Sequence, residues 1–135
     1  PQIGKSIRIF VIDGSSLNDS NMLNFKKIFV NPTIINQYGD EWEFEEGCLS
    51  IPLIKEKIRR KSIIEIEYHD ENWKFHRDTF DGMKARIIQH EYDHIEGILF
   101  TDYLSSLKRK LIKNKLFKIS KGDVDINYKI FAPNK

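Results

Sequence analysis

Two histidines and a glutamate are the residues of this sequence most suited to chemistry. His90, Glu91 and His94 lie in the segment QHEYDH, with the histidines four positions apart. Residues four apart on a helix share a face, so both imidazoles can point at one metal ion while the glutamate stands beside it as a base. The spacing indicates a catalytic metal site. The plain alternative is a charged surface helix that matches the pattern by chance.

The histidine pair supplies only two ligands, whereas a catalytic zinc-type site usually has three protein ligands and one position open to water. From the residues alone the third ligand stays open. It could be a later acidic residue such as Asp102, the strand histidines His69 and His76, or the single cysteine, Cys48. Cys48 lies in EEGCLSIP, where Gly47 allows an unusual turn, and a thiolate there would bind a metal strongly.

The elements that must position these residues are strands first and helices later. Alternating apolar runs predict extended segments at residues 7–12, 27–34 and 42–51, with Gly47 breaking the last, and a hairpin around a polar turn at 70–72. From Asp81 the apolar period becomes helical. Asp81 or Thr79 can cap this helix, and Gly97 can end it. Its recurring positions are Met83, Ile87, Glu91, His94, Ile95 and Ile98.

A second helix is predicted from Tyr103 to about Lys118. One of its faces would be lined by Leu104, Leu107, Leu111, Ile112 and Leu116. The tail at 126–135 is predicted to add an edge strand. Because neither a repeat nor a linker divides the chain, the sequence predicts one α+β domain over residues 1–135. Antiparallel sheets would pack around a central metal-binding helix, followed by a C-terminal helix.

Composition limits the classes of protein that this chain can belong to. Of its 135 residues, 40% are hydrophobic and 31% are charged, which is ordinary for a soluble globular protein. No apolar run approaches the roughly 18 residues of a membrane span, and the N-terminus lacks the order of a signal peptide. We therefore expect a cytoplasmic protein. The chain opens PQIGKSIRIFVI without an initiator methionine, and we expect a piece of something longer.

Two segments together resemble the signature motifs of peptide deformylases. EGCLS at 46–50 is similar to the second motif of that family, and QHEYDH at 89–94 is similar to the third. The opening Pro1 and Gln2 look like the last two positions of the first motif. The likeness runs through nearly the whole chain, including GILFTDYLSSLKRK after the metal helix. The family's N-terminal segment, with the glycines and alanines of the first motif, is missing.

The resemblance implies a metal-dependent hydrolase that removes the formyl group from the N-terminal formylmethionine of new polypeptides and releases formate. The implied metal ligands are Cys48, His90 and His94. Glu91 would carry a proton from water to the leaving amine. The side-chain amide of Gln2 and the backbone N–H of Leu49 would stabilise the oxyanion. The implied metal is Fe²⁺, with Zn²⁺, Ni²⁺ or Co²⁺ able to substitute.

Substrate-binding residues are predicted in two places, the metal helix and the segment that leads into Cys48. Met83 and Ile87 precede His90 by seven and three positions, so they could line an apolar pocket for a methionine side chain or could equally be core residues. The resemblance implies that the segment leading into Cys48 pairs with the substrate backbone as an added strand. The residues of interest in that segment are Phe44, Glu46 and Gly47.

The second predicted helix carries a partner hypothesis. Residues 103–121 contain seven basic side chains and no acidic ones. A solvated helix face would explain this pattern. The resemblance implies docking on ribosomal RNA near the nascent chain, which would weaken steeply with salt. We expect a monomer.

Two rival functions remain open at this point. One is a metallopeptidase of the H-E-x-x-H type, with a third ligand such as Asp102 and no role for Cys48. The other is a non-catalytic, ribosome-associated module that keeps the fold. Glu91 argues against the second, because a binding module has no need of a base beside its metal.

Overall fold

The computed structural model describes residues 1–17 and 19–128, and it has the α+β architecture that the sequence predicts. Four strands form one sheet in the order β1-β2-β3-β4. The strands are β1 (Ile9–Asp13), β2 (Lys26–Cys48), β3 (Ile51–His69) and β4 (Phe75–Asp81). The helices are α1 (Gly82–Ile95) and α2 (Ser106–Ser120), with short 3-10 turns at Gly14–Ser16 and Phe100–Tyr103. None of the described helices is long and apolar enough to cross a membrane.

These elements form two compact units. The first unit comprises residues 1–42 and 60–99, and the second comprises residues 43–59 with the described residues from 100 onward. Each unit has its own cluster of buried apolar side chains. The helix α1 belongs to the first unit, and α2 belongs to the second.

The core of the first unit joins α1 to the sheet. In the sheet, β1 pairs antiparallel with β2, and β3 pairs antiparallel with β4 from Ile63 opposite Asp81 to His69 opposite Phe75. The core cluster consists of Phe10, Ile12, Phe29, Ile64, Ile66, Tyr68, Ala85 and Ile88. At its centre Phe29 packs against Phe10 and Tyr68, with ring centroids 4.7 and 4.5 Å apart. Because Ala85 and Ile88 of α1 belong to the same cluster, apolar packing holds α1 on the sheet.

Gly97 sets the end of α1, as the sequence predicts. Gly97 has φ 74°, a conformation that strains any residue with a Cβ. Its N–H donates to the carbonyl of His94 at 3.2 Å, and the N–H of Ile98 donates to the carbonyl of Asp93 at 2.8 Å. These two bonds make the Schellman motif that closes many helices. At the other end Asp81 is the N-cap residue, but its side chain makes no capping hydrogen bond.

The prediction that Gly47 breaks the extended segment at 42–51 was wrong. The strand β2 continues through Gly47 to Cys48, and the chain turns only at Leu49 and Ser50 before β3 begins. A Cβ at residue 47 would lie 3.3 Å from Cγ of Lys55. Glycine at this position therefore allows Lys55 of β3 to lie close to β2, and it does not break the strand. Pro52, two residues after the turn, already lies inside β3.

In the second unit, one edge of α2 packs against the apolar core. Its core cluster consists of Ile51, Ile54, Ile58, Phe100, Leu104 and Ile119, with Cys48, Ile112 and Leu116 against it. The helix begins at Ser106, where the hydroxyl of Ser105 accepts the N–H of Lys108, and not at Tyr103 as predicted.

The apolar faces of both helices differ from the prediction. Leu107 and Leu111 are 67% and 75% exposed, because α2 has two apolar edges and the other one packs. On α1 the fully buried apolar residues are Ala85 and Ile88 rather than the predicted stripe, and Ile98 lies beyond the helix. The predicted edge strand at 126–135 is not formed at 126–128, and the rest of it lies outside the described residues.

Candidate metal centre

Three chemically active side chains lie within five residues of α1. The rings of His90 and His94 are adjacent, with centroids 4.9 Å apart and planes at 90°. His94 is buried, whereas His90 and Glu91 are half-buried. The one-turn spacing on a single helix therefore brings both imidazoles to the same side, with the carboxylate of Glu91 next to them in sequence.

Gln2 contacts this helix from the beginning of the chain. Its side-chain Nε2 donates a hydrogen bond to Oε2 of Glu91 at 3.2 Å, although the residues are 89 positions apart. Gln2 itself is exposed. The amide N–H groups of Gln2 thus lie beside the carboxylate that is predicted to move the proton.

Cys48 is the last residue of β2 in the second unit. It is half-buried and packs at the edge of that unit's core cluster. Leu49 follows it in the turn with its side chain 76% exposed, and the carbonyl of Leu49 accepts a hydrogen bond from the hydroxyl of Tyr128 at 3.0 Å. The tight connection between β2 and β3 therefore presents the thiol at the end of a strand and a backbone N–H directly after it.

The donor atoms of Cys48, His90 and His94 all lie within 4.8 Å of one another. One thiolate and two imidazoles are three protein ligands of the kinds that zinc and the divalent transition metals accept. Three ligands leave a position for water, which is the arrangement of a catalytic rather than a structural site. The donor set therefore fits one catalytic divalent metal ion.

The strand histidines have other surroundings. Nε2 of His76 is 2.8 Å from Oδ2 of Asp70, and its ring stacks on Tyr68. The ring of His69 lies near the aromatic side chains at residues 73 and 75. Among the described residues, neither histidine belongs to the group that could hold a metal, and Asp102 is also outside that group.

The predicted substrate residues fall on the same two elements. In β2, Phe44 is 37% exposed, the side chain of Glu46 is buried and Gly47 is exposed. In α1, Met83 and Ile87 are half-buried, and Ile87 packs against the core of the first unit. This packing is what a core residue shows.

Sequence reasoning missed the polar contacts that hold α1 on its buried side. Arg60 forms a buried ion pair with Asp93, with Nη1 and Oδ2 2.6 Å apart. The side chain of Gln89 donates to Oε1 of Gln37 at 3.0 Å. The only sequence signal was the polar character of positions 89 and 93 next to the two histidines of the motif. Nothing in the spacing identifies partners 33 and 52 residues away.

A second ion pair lies just beyond α1. Nη2 of Arg8 is 2.6 Å from Oε1 of Glu96, and these side chains are 42% and 35% exposed. The hydrogen bond from Arg8 holds the pKa of Glu96 below its usual range, although partial burial opposes this shift. The same bond raises the pKa of Arg8.

Known proteins match nearly the whole chain. The polypeptide deformylase family model matches residues 1–110. The peptide deformylase of Christiangramia forsetii is 52% identical over 143 residues, covering 99% of this chain and 73% of that protein. That of Cytophaga hutchinsonii is 51% identical over 135 residues, covering 100% and 73%. A solved peptide deformylase from Plasmodium falciparum is 33% identical with a TM-score of 0.78, covering 96% of this chain and 74% of that one.

Proposed function

Because the chain belongs to the polypeptide deformylase family, we propose that Cys48, His90 and His94 hold its catalytic metal and that Glu91 moves the proton. The family supplies the activity: the protein is a hydrolase that acts on the N-formyl end of nascent peptides. The single observation that carries the assignment of residues is the approach of the three donor atoms to within 4.8 Å of one another.

A divalent cation on this donor set would supply Lewis acidity and lower the pKa of water toward neutrality. Hydrolysis then requires a base for the water that attacks the formyl carbon and an acid for the amine that leaves when the C–N bond breaks. We assign both roles to Glu91, because a carboxylate can accept the first proton and return it to the nitrogen. The products are formate and a free amino terminus.

The negative charge that develops on the formyl oxygen requires hydrogen-bond donors. We assign this role to the side-chain amide of Gln2 and to the backbone N–H of Leu49. The support for Gln2 is its Nε2, which lies 3.2 Å from the carboxylate of Glu91 and so beside the proton carrier. The support for Leu49 is its position directly after the cysteine ligand in a tight turn. Loss of one such donor typically lowers turnover by about 10²–10³.

The substrate backbone would bind as an added strand, and its methionine side chain would bind in an apolar pocket. Phe44, Glu46 and Gly47 lie in the final residues of β2, and a peptide added there as a strand would form backbone hydrogen bonds with them. Met83 and Ile87 on α1 would contribute to the pocket for methionine. The half-buried state of both residues leaves part of each side chain accessible to a substrate.

For the metal itself we propose Fe²⁺, with Zn²⁺, Ni²⁺ or Co²⁺ as working substitutes. A set of one thiolate and two imidazoles accepts all four ions, so the choice rests on the family resemblance. An iron–thiolate site is sensitive to oxidation, and we expect activity to be lost in air through the metal or through Cys48.

We further propose that the basic segment 103–121 docks on ribosomal RNA, and that the protein acts as a monomer in the cytoplasm. Two of its basic side chains hold α2 within its unit: Lys108 pairs with Glu56 at 2.8 Å, and Lys115 donates to the carbonyl of Leu53. The exposed Arg109, Lys110, Lys113 and Lys118 would then contact phosphates. Such contacts weaken steeply as salt rises.

Neither rival function is favoured. A metallopeptidase of the H-E-x-x-H type would require an acidic third ligand, but among the described residues the group that could hold a metal includes Cys48 and not Asp102. A non-catalytic module would have no need of Glu91 beside them. Membership of a family of enzymes argues against it as well.

Metal binding by paired variants tests the assignment of the third ligand. We expect Cys48→Ala to abolish stoichiometric binding of Fe²⁺ or Co²⁺, because two imidazoles alone make a weak site. Asp102→Asn is the matched control and should bind like the wild type. Metal content after anaerobic loading and desalting provides the measurement, and circular dichroism establishes that both variants fold. The reverse pattern, with metal lost only from Asp102→Asn, would support the peptidase.

A further inference from the structure

One buried ion pair joins strand β3 to the helix that carries the histidines. Nη1 of Arg60 and Oδ2 of Asp93 are 2.6 Å apart, and the two side chains are only 4% and 11% exposed. Asp93 lies three residues after His90 and immediately before His94. Burying two charges is unfavourable unless they are closely paired, and apolar residues of similar volume would often stabilise the fold as well or better. The presence of charges here therefore suggests a requirement other than stability.

The position of Asp93 around the axis of α1 indicates what that requirement is. At about 100° per residue, Asp93 is turned roughly 60° from His90 and roughly 100° from His94. The carboxylate thus points to one flank of the face that carries both imidazoles. Any rotation of α1 about its axis would displace the imidazoles and separate Asp93 from Arg60 at the same time.

Asp93 also contributes to the end of the helix. Its backbone carbonyl accepts the N–H of Glu96 at 3.0 Å and the N–H of Ile98 at 2.8 Å. The same residue is therefore bound to β3 through its side chain and to the closing turn of α1 through its backbone. These contacts limit both the rotation of the helix and its translation along its axis.

We propose that Arg60 and Asp93 are positioning residues for the metal ligands. Apolar packing against Ala85 and Ile88 holds α1 on the sheet but is not directional. The ion pair adds a directional contact close to the histidines, which limits where His90 and His94 point. This inference rests on the proposed metal centre, because it concerns how well the two imidazoles are presented to a metal.

A second pair of the same length provides a control. Arg8 and Glu96 are also 2.6 Å apart, but they are much more exposed than Arg60 and Asp93, and Glu96 lies just beyond the last residue of α1. If any ion pair to this helix affected the metal site, Arg8→Met would act like a change at Arg60. If position and burial matter, it would not.

Cobalt affinity of folded variants tests the proposal. We expect Asp93→Asn to weaken Co²⁺ binding about 10–100-fold, the range for residues that orient metal ligands, and Arg8→Met to change it less than about twofold. Affinity is measured by competition with a chelator, and the absorption spectrum of the bound cobalt reports any change in ligand geometry. Urea unfolding of each variant establishes that affinity is measured on a folded population, so that lost stability is not mistaken for lost positioning.

The double variant Arg60→Met/Asp93→Leu separates positioning from stability. It removes both charges of this pair and leaves neither partner behind, so we expect its urea midpoint to return toward the wild type while its cobalt affinity stays at least 10-fold weaker. If affinity recovers together with the midpoint, the pair only stabilises the fold and the proposal is overturned. The double variant also keeps the test open should Asp93→Asn fail to fold.

The outcomes distinguish this inference from the proposed function. A wild-type protein that binds no stoichiometric cobalt would overturn the metal centre and the inference with it. A wild type that binds one equivalent, beside a folded Asp93→Asn that binds equally well, would overturn the inference alone.

Discussion

The two helices differ in the burial of their polar residues. The buried positions of α1 include four polar or charged residues, namely Arg86, Gln89, Asp93 and His94. In α2 the single buried residue is Ile119, and the polar and charged side chains lie at intermediate or exposed positions. The sequence of α1 is therefore constrained at polar and apolar positions alike, whereas that of α2 is constrained mainly along one apolar edge.

Burial of polar groups has a physical consequence that explains the contrast. A buried polar side chain lowers stability unless it finds a partner. In α1 the guanidinium of Arg86 donates to the carbonyl of Trp42 and lies over its ring, with the guanidinium carbon 4.4 Å from the ring centroid. Gln89 bonds to the carbonyl of Lys61, although its own Oε1 is buried without a partner among the described residues. A helix that retains such groups is expected where function and not stability selects the residues.

The largest difference should appear in the free energy of unfolding when one apolar residue on each helix is truncated. Ile88 is fully buried in the core of the first unit, whereas Leu111 is 75% exposed. We expect Ile88→Ala to lower stability by about 2–5 kcal/mol and Leu111→Ala to change it by less than about 0.5 kcal/mol. Urea unfolding followed by circular dichroism measures both.

The variant Ile88→Val removes less of the same side chain, so we expect it to lower the free energy of unfolding by only about 0.5–1.5 kcal/mol. Similar losses for Ile88→Ala and Leu111→Ala would mean that the outer edge of α2 is covered in solution, and the contrast between the helices would then be wrong.

A smaller effect is expected at the exposed ion pair beyond α1. Removal of the charge by Arg8→Met should lower stability at pH 7 by about 0.2–1 kcal/mol, because exposed pairs are screened by solvent. The pKa of Glu96 is lower in the folded state than its usual value, so this stabilisation is present above the unfolded-state pKa. It is lost as the pH falls through the folded-state pKa.

Unfolding curves of the wild type and Arg8→Met should therefore converge in acid. Added salt at pH 7 should also narrow the difference between them. A difference that persists unchanged in acid would show that Arg8 acts through its contacts with the carbonyl of Pro32 and the ring of Tyr92, rather than through Glu96.

The sequence predicted local features of the fold better than the contacts between distant residues. The helical period and Gly97 predicted the two ends of α1 to within a residue or two. The polar turn predicted the hairpin between β3 and β4. The family was also predicted correctly, from EGCLS and QHEYDH together. These features depend on residues that are neighbours in the chain, or on motifs that already combine distant residues.

The errors arose where a local pattern allows two outcomes. Leu107 and Leu111 have the spacing of a packed face, but α2 has a second apolar edge, and only its partner decides which edge is covered. Gly47 can break a strand or admit a close neighbour, and only the adjacent strand decides. The pairing of Arg60 with Asp93 has no sequence signal, because any of 20 acidic residues could have been the partner.

The most direct test of the central claim is formate release by iron-loaded protein, prepared without air, beside a Glu91→Gln variant with the same metal content. With formyl-Met-Ala-Ser as substrate, we predict that the wild type releases formate and that the variant keeps its metal but is about 10²–10⁴-fold slower. A variant that binds iron and releases formate at the wild-type rate would show that Glu91 does not carry the proton, and would contradict the account of this site.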